Sequence, residues 1–298
     1  MLKRTIYIGN PSYLKTKDNQ LVLQCPATKG IKGTVPIEDM ALLLLDHPQI
    51  TLSSQLINKL MGNTIAVIHC DNHHLPNGLM LPMVGHSELT ERWRYQLEAS
   101  TPLKKQLWKQ VVTSKINNQK ELLVTNKQPV NAMEKYLEKL ISGDETNMEG
   151  KAANHYWKYI LTDFQRARFG DVPNNFLNFG YAVLRSIVAR ALVSSGLLPA
   201  LGIFHKNKYN PYCLADDMME PYRPFVDKLV LDYISRYPQE EELSKQAKAH
   251  LLTIATQDVI IDAKQRPLLV AVTTTTASLY KCFIGERRTI LCPSFLWN

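Results

Sequence analysis

The chain has few cysteines, and none of them has the spacing of a metal-binding pair. Its 298 residues include five cysteines, and no two form a C-x-x-C motif. An odd number of scattered thiols argues against a zinc ribbon and against the disulfide framework of a small secreted protein. The five are Cys25, Cys70, Cys213, Cys282 and Cys292. Free thiols suit a reducing compartment, so we predict a cytoplasmic protein.

The chain also lacks the short motifs that mark nucleotide cofactors and serine nucleophiles. It contains no G-x-x-x-x-G-K-[ST] loop, no G-x-G-x-x-G turn and no G-x-S-x-G elbow. Its most apolar stretch, residues 176–201, carries Arg185 and Arg190 near the middle. The bilayer core disfavours both charges, so this stretch is predicted to be a buried helix, and no membrane partner is expected.

What the chain does have is a globular composition with a surplus of positive charge. Hydrophobic residues make up 45% and charged residues 21%, which is enough for a sizeable core without disulfides or a structural metal. The net charge is +8 and the isoelectric point is about 9.1. Such a surplus favours a polyanionic partner such as nucleic acid, although many basic proteins bind none.

The hydrophobic pattern changes along the chain and predicts an α+β fold. Short β-prone runs such as Arg4–Ile8 dominate the first part, together with one short helix capped by Ser53 or Ser54. From about residue 91 the periodicity becomes helical. We therefore predict a small β-rich N-terminal domain, residues 1–90, and a larger all-helical C-terminal domain, residues 91–298.

Two segments of the second domain are less regular. Residues 115–127 are polar and are interpreted as a helix end or a loop. Residues 267–272 are predicted to be extended, because they are rich in β-branched and apolar side chains. The four threonines that follow, residues 273–276, are then expected to form a strand edge or a turn.

Glu149 is the first candidate for chemistry. If a helix begins near it, Ala152, Ala153, Tyr156 and Trp157 share its face, so a carboxylate leads an otherwise small or apolar stripe. Two interpretations are open. Glu149 is either a metal ligand or a first-turn acid that interacts favourably with the helix dipole.

A second group of candidates follows the apolar helix. His205 ends an apolar segment and is either a hydrogen-bonded core residue or a ligand. On one helix Asp217 and Glu220 are spaced i,i+3, and Asp216 and Glu220 are spaced i,i+4, with no lysine at i+4 to neutralise them. Pro221 would kink the helix and turn Glu220 into a cleft. The alternative for these acids is a solvated helix start.

Carboxylate oxygens with one imidazole suit Mg²⁺ or Mn²⁺ better than zinc. Basic residues lie close to these candidates in sequence: Lys206 and Lys208 follow His205, and Arg223 follows Glu220. Cations beside a metal site would hold a phosphate backbone, and a solvated surface is the alternative for each of them. Arg223 is expected, with Asp227, on the side of its helix opposite the apolar stripe. A metal ion and positive charge together indicate phosphodiester chemistry on nucleic acid.

The residues around these candidates resemble the CRISPR-associated integrase-endonuclease family, the catalytic subunit of the spacer-acquisition complex. The resemblance rests on Glu149-Gly150 with Ala153 and Tyr156-Trp157, on the segment 202–205, and on residues 214–227. It extends over nearly the whole chain and is nearest to the branch that accompanies single-protein effectors, type II.

The resemblance implies a Mg²⁺ or Mn²⁺ ion held by three catalytic residues, Glu149, His205 and Glu220. Asp217 matches a family acid one helical turn earlier, as a further ligand or as a supporting group. Lys206, Lys208 and Arg223 would contact DNA. The implied reaction is a transesterification in which the 3′-hydroxyl of a short DNA fragment attacks a phosphodiester of the CRISPR repeat.

The resemblance also implies the partners. These are short duplex DNA, the repeat, a second copy of the chain, and a small ferredoxin-like subunit that bridges two homodimers. Dimerisation is expected through residues 1–90, and the type II effector nuclease is a further candidate partner. Two other functions stay open from the residues alone: a DNA-binding scaffold without enzymatic activity, and a metal-dependent hydrolase of small phosphate esters.

Overall fold

Strands dominate the first part of the chain and helices the rest. The computed structural model describes residues 3–161, 164–167, 170 and 172–296. The first part contains β1 (Arg4–Ile8), β2 (Ser12–Lys17), β3 (Gln20–Gln24), β4 (Ile31–Pro36), β5 (Met40–Leu45), β6 (Ile50–Leu52), α1 (Ser54–Gly62), β7 (Ala66–Cys70) and β8 (Pro76–Met80). The predicted cap is confirmed, because Ser53 Oγ accepts a hydrogen bond from the Leu56 amide.

The second part is mostly helical. It contains α2 (Leu89–Glu98), α3 (Thr101–Thr125), α4 (Asn131–Lys139), α5 (Met148–Ile160), α6 (Asn174–Ser194), α7 (Cys213–Met219), α8 (Arg223–Arg236), α9 (Lys245–Leu252), β9 (Asp258–Ile261), β10 (Lys264–Pro267) and α10 (Leu268–Phe283). The predicted α+β class is confirmed. The hairpin of β9 and β10 adds a short antiparallel pair to a part expected to be entirely helical.

Two four-stranded sheets build the N-terminal part. In the first, strands run in the order β1-β5-β7-β8, with β1, β5 and β7 parallel. In the second the order is β4-β3-β2-β6. All six side chains of β5 are buried, because its sheet is covered on both faces. Leu43 and Leu45 pack into a small core shared with the second sheet, whereas Leu42 and Leu44 join the large core of the helices.

That large core runs across the predicted domain boundary. A buried polar cluster does the same. Asp46, just after β5, accepts hydrogen bonds from Tyr7 Oη at 2.7 Å and from Lys248 Nζ of α9 at 2.6 Å. The other carboxylate oxygen of Asp46 lies 2.7 Å from Nδ1 of His74, which is in the turn between β7 and β8. The division at residue 90 therefore stays a prediction.

Helix α6 is the centre of the large core. It is long and apolar enough to cross a membrane by length and composition, but 78% of its most apolar window is buried in the protein. Arg190 is buried here and donates a hydrogen bond to the Thr64 carbonyl at 2.6 Å. The helix is thus a core element, as predicted for this stretch.

Residues 115–127 are a helix end, one of the two predicted alternatives, whereas the prediction of an extended segment at 267–272 was wrong. The polar residues after 115 continue α3 to Thr125, because Ile116, Leu122 and Leu123 keep one face of it in the core. Residues 268–283 form α10 instead of an extended segment. Contacts with α6 outweigh the strand preference of its β-branched residues, and the threonine hydroxyls bond to carbonyls of the preceding turn, as Thr273 does to Leu269.

Candidate functional site

Glu149 lies in the first turn of α5, and local hydrogen bonds determine its place. Asn147 caps the helix in a left-handed conformation with φ of 52°, which asparagine tolerates well. Asp144 accepts hydrogen bonds from the amides of Met148 and Glu149 at 2.7 and 2.9 Å. Ala152 and Tyr156 on the same face are fully buried, as the sequence predicted. The carboxylate of Glu149 therefore starts from a rigid turn.

His205 is held by Asp217, whose side chain is fully buried. Nδ1 of His205 donates to Asp217 Oδ1 at 2.6 Å, and the amides of Ile203, Phe204 and His205 donate to the same carboxylate at 2.7–3.2 Å. The hydrogen bond that His205 donates to Asp217 raises the pKa of His205. Since Nδ1 carries the proton, Nε2 is the nitrogen that can bind a metal. Burial raises the pKa of Asp217, against the effect of its hydrogen bonds.

Glu220 lies where α7 ends in a single 3₁₀ turn, Glu220–Tyr222, before α8 begins. This is the kink expected at Pro221. Asn118 of α3 donates a hydrogen bond to the Pro221 carbonyl at 2.8 Å, and the hydroxyl of Tyr222 lies 2.6 Å from that of Thr275 on α10. Two neighbouring helices therefore fix the turn that presents Glu220.

The structure brings Glu149 and Glu220 together on one lysine. Lys115 of α3 contacts Glu149 Oε1 through its ammonium group, and the same nitrogen lies 2.5 Å from Glu220 Oε2. The side chains of Lys115 and Glu220 are each 7% exposed. Burial lowers the pKa of Lys115, but Glu220 and Glu149 outweigh this effect and the pKa is raised. Both carboxylates thus face a permanent positive charge.

Arg223 supplies a second positive charge to Glu220. Its guanidinium donates to Glu220 Oε1 at 2.8 Å and lies over the ring of Tyr181, 4.3 Å from its centroid. No lysine stands at i+4 of Glu220, as noted from the sequence, but an arginine at i+3 neutralises it. Burial alone would raise the pKa of Glu220, but Arg223 and Lys115 lower it to about 2.

Asp227 was expected on the solvent side of α8, and this was also wrong. It is 2% exposed and accepts hydrogen bonds from the hydroxyls of Tyr156 and Tyr181. Burial raises its pKa to about 6. The Arg223 guanidinium lies over the ring of Tyr181. Asp227, which is hydrogen-bonded to Tyr181, therefore indirectly supports the arginine that holds Glu220.

A cleft of about 880 Å³ opens beside these groups, lined in part by His205 and Glu220. Its walls are rich in arginine, tyrosine and asparagine, the side chains that hold phosphates and stack on bases. They include Arg166, Arg185, Arg223, Asn178, Asn207, Asn210, Tyr181, Tyr209 and Tyr212. Asp71, Asp216 and Glu220 line the same cleft and balance the charge of the arginines, and its arginines, tyrosines and asparagines are side chains that can hold a nucleic-acid strand.

The DNA-binding candidates from the sequence occupy two different places. Lys206 and Lys208 are exposed on the loop after His205, next to Tyr209, which is 81% exposed. Arg223 lines the cleft and is part of the Glu220 ion pair. Lys115 was not predicted from the sequence to be part of the site. The available signal was its place four residues after Val111 on the apolar face of α3, where a lysine requires a buried partner.

The residues present fit a hard divalent cation. Glu220 Oε2 is buried and makes no hydrogen bond of acceptable geometry despite its proximity to Lys115. Glu149 adds a second carboxylate, and His205 lies within electrostatic reach of Glu220, whose charge contributes to raising its pKa. These donors match the preferences of Mg²⁺ and Mn²⁺. Within the described residues, no three histidine, cysteine or acidic side chains converge closely enough to hold an ion, and Lys115 contacts both glutamates.

Comparison with known proteins identifies a family. The model of the family described as "CRISPR associated protein Cas1" matches residues 6–266. Among curated relatives, a CRISPR-associated endonuclease Cas1 of Neisseria meningitidis serogroup C (strain 8013) is 32% identical over 274 residues, which is 91% of this chain and 89% of that protein.

Solved structures show the same fold. A casposase bound to its integration product aligns with a TM-score of 0.79 and 18% identity, over 96% of this chain and 92% of that one. A chain of a Cas6-RT-Cas1–Cas2 complex aligns with a TM-score of 0.74 and 19% identity, over 96% of this chain and 35% of the other.

Proposed function

The chain belongs to the CRISPR-associated Cas1 family, and we propose that it is a DNA endonuclease and integrase that inserts short DNA fragments into a CRISPR repeat array in antiviral defence. One structural observation supports this most strongly. Glu149 and Glu220, far apart in sequence, meet on Lys115, and Glu220 lines a cleft together with His205 and three arginines. The named relative is an endonuclease, and the casposase was solved with an integration product.

In the proposed reaction, the 3′-oxygen of the fragment bonds to a phosphorus of the repeat. The bond from that phosphorus to the repeat's own 3′-oxygen breaks, and the released oxygen takes up a proton. Hydrolytic nicking is the same exchange with water as nucleophile. A bound Mg²⁺ or Mn²⁺ ion, held by Glu149, His205 and Glu220, would neutralise charge on the phosphate and favour the ionised nucleophile.

The chain's own residues organise that site. Asp217 orients the imidazole of His205 and keeps the proton on Nδ1. Both of its oxygens already accept hydrogen bonds, which favours a supporting role over direct ligation. Arg223 fixes one oxygen of Glu220, and Arg166 and Arg185 line the cleft where a phosphate backbone would lie. Lys206 and Lys208 extend positive charge along the exposed loop.

The partners follow from the same proposal. We propose a homodimer that forms through the β-rich first part, and a small adaptation subunit of the kind in the Cas1–Cas2 complex, bridging two dimers. Short duplex DNA and the repeat are the substrates, and the type II effector nuclease is a candidate accessory. A cytoplasmic location agrees with a DNA substrate.

Strand transfer tests the proposal. The protein and its small partner are incubated with a labelled short duplex and a supercoiled repeat plasmid, in Mg²⁺, Mn²⁺ or EDTA. We expect metal-dependent joining that Glu149→Ala, His205→Ala and Glu220→Ala each abolish. His155→Ala is the matched control, since His155 is a half-buried histidine of α5 whose ring nitrogen lies 3.1 Å from the Pro129 carbonyl, away from the glutamates and the cleft lining.

The alternatives give different results. A scaffold would bind DNA equally well in every variant and join none. A hydrolase of small phosphate esters would turn over a model phosphomonoester and would show little salt-dependent DNA binding. Metal-independent joining, or joining unaffected by His205→Ala, would refute the proposed site.

A further inference from the structure

Lys115 lies where a cation bound to both glutamates would lie. Its ammonium group contacts Glu149 Oε1 and Glu220 Oε2, and only 7% of the side chain is exposed. A lysine buried to this degree needs negative partners, and here both partners are proposed metal ligands. The site therefore already contains one cation of its own in the absence of metal.

The two contacts of Lys115 with the glutamates are not equivalent. Lys115 contacts Glu149 Oε1 and lies 2.5 Å from Glu220 Oε2, but only Glu220 is shown with a second cation at its other oxygen. The other oxygen of Glu220 is bound by Arg223 at 2.8 Å. Oε2 can therefore change partner while Arg223 keeps its hydrogen bond to Oε1.

The turn that carries Glu220 does not depend on Lys115. One helical turn further along α3, Asn118 donates a hydrogen bond to the Pro221 carbonyl at 2.8 Å. On the far side Tyr222 meets Thr275 at 2.6 Å. If the ammonium moved, these contacts would keep the carboxylate in place. The long, flexible lysine side chain is suited to such a displacement.

We propose that Lys115 is a positioning residue, a resident counter-cation that keeps Glu149 and Glu220 paired without metal and is displaced from Glu220 Oε2 when a divalent ion binds. This inference rests on the proposed function, because it takes the two glutamates as metal ligands. Lys115 sets the metal affinity of the site, since the ion must compete with an ammonium group for the same oxygens.

The test measures Mn²⁺ binding by electron paramagnetic resonance and calorimetry, and thermal stability with EDTA or Mn²⁺. Lys115→Met removes the ammonium and keeps an apolar stem. We expect it to bind Mn²⁺ at least about tenfold more tightly than the wild type, the order expected for removing one like charge at ion-pair distance. Without metal it should be less stable, and Mn²⁺ should raise its melting temperature more than that of the wild type.

Two further variants separate charge from packing. Lys115→Arg retains the charge and should bind Mn²⁺ no more tightly than the wild type. Lys105→Met is the matched control, because Lys105 lies on the same helix and its ammonium is 2.6 Å from Glu145, but that pair is exposed. It should leave Mn²⁺ affinity unchanged.

Each result supports or contradicts either the inference about Lys115 or the proposed metal site. Equal or weaker Mn²⁺ binding by Lys115→Met overturns the inference while leaving the proposed metal site intact. A wild type that binds no Mn²⁺, or binds it equally after Glu220→Ala, overturns the proposed site itself. If Lys115→Met folds only with Mn²⁺, the inference is supported, because the ion supplies the missing charge. If Lys115→Met fails to fold both with Mn²⁺ and without it, the inference is wrong.

Discussion

Asp217→Asn tests whether the carboxylate behind His205 determines how the imidazole binds metal. The carboxylate accepts four hydrogen bonds, from three successive backbone amides and from Nδ1 of His205. Asparagine has one accepting oxygen, so its NH₂ group must face at least one N–H donor. The variant therefore loses hydrogen bonds and the preference for the Nδ1–H tautomer together.

The magnitude follows from those contacts. Two hydrogen bonds to a buried charged group are lost, which should destabilise the fold by about 2–4 kcal/mol. A partner that orients a metal-bound histidine is worth roughly 10–100-fold in metal affinity, or about 1.4–2.7 kcal/mol. The pKa of His205 should also fall towards its ordinary value, because its hydrogen bond to Asp217 is the largest cause that raises it.

The assay combines metal binding with a titration. Mn²⁺ affinity is measured as a function of pH, and the ring protons of His205 are followed by NMR. Metal binding needs the neutral imidazole, so in the wild type affinity should rise with pH up to the raised pKa. In Asp217→Asn that midpoint should move to lower pH, while the plateau affinity at alkaline pH should be about 10–100-fold weaker.

Asp216→Asn is the matched control for this prediction. It removes the same charge from the adjacent position, where the side chain pairs with half-exposed Arg185. The side chain of Asp216 is 15% exposed and also accepts a hydrogen bond from Asn210, so the variant should cost stability as well, but it should leave the plateau affinity unaltered. If both variants give the wild-type plateau, Asp217 does not orient the ligand and the reasoning is refuted.

Two further predictions concern the scaffold of the site. Lys248→Met leaves the carboxylate of Asp46 buried without its ammonium partner and should cost about 3–5 kcal/mol of unfolding free energy in urea; a loss below about 1 kcal/mol would contradict a buried pair. Gly202→Ala would place a Cβ 2.4 Å from the His205 carbonyl oxygen. A Cβ added at Gly62 would have no atom within 4 Å other than those of its chain neighbours and its own helix backbone. Mn²⁺ binding should therefore weaken in Gly202→Ala and stay unchanged in Gly62→Ala, and equal affinities would argue against a rigid loop.

The sequence predicted best what local physics decides. Ser53 caps α1 because its side chain can reach an amide three residues on, and no distant contact is needed. The change from alternating to helical periodicity near residue 90 likewise follows from residues close in sequence. By contrast, α10 was predicted to be extended because β-branched residues prefer strands, yet the spacing of Leu268, Val272 and Leu279 already matched a helix face. Tertiary packing decided between two local preferences.

The candidate site was predictable as a set of residue types but not as an arrangement of charges. From the sequence, Glu220 lacked a neutralising lysine at i+4, and this absence favoured a metal. The structure gives it two cations, Arg223 at i+3 and Lys115 from a helix more than a hundred residues away. The i,i+4 spacing relates residues of one helix only, so it cannot predict a partner that another helix supplies.

Lys115 and Arg223 also weaken the electrostatic need for a metal ion at the two glutamates. Paired carboxylates without cations would demand a metal ion to relieve their repulsion. Here Lys115 relieves it already, so the folded chain is electrostatically satisfied without metal. A metal is favoured instead by two carboxylates that converge on one buried point and by an imidazole whose Nδ1 is fixed on Asp217, which leaves Nε2 to bind. That is why Mn²⁺ affinity in Lys115→Met, more than loss of activity in any ligand variant, distinguishes a metal site from a buried ion pair.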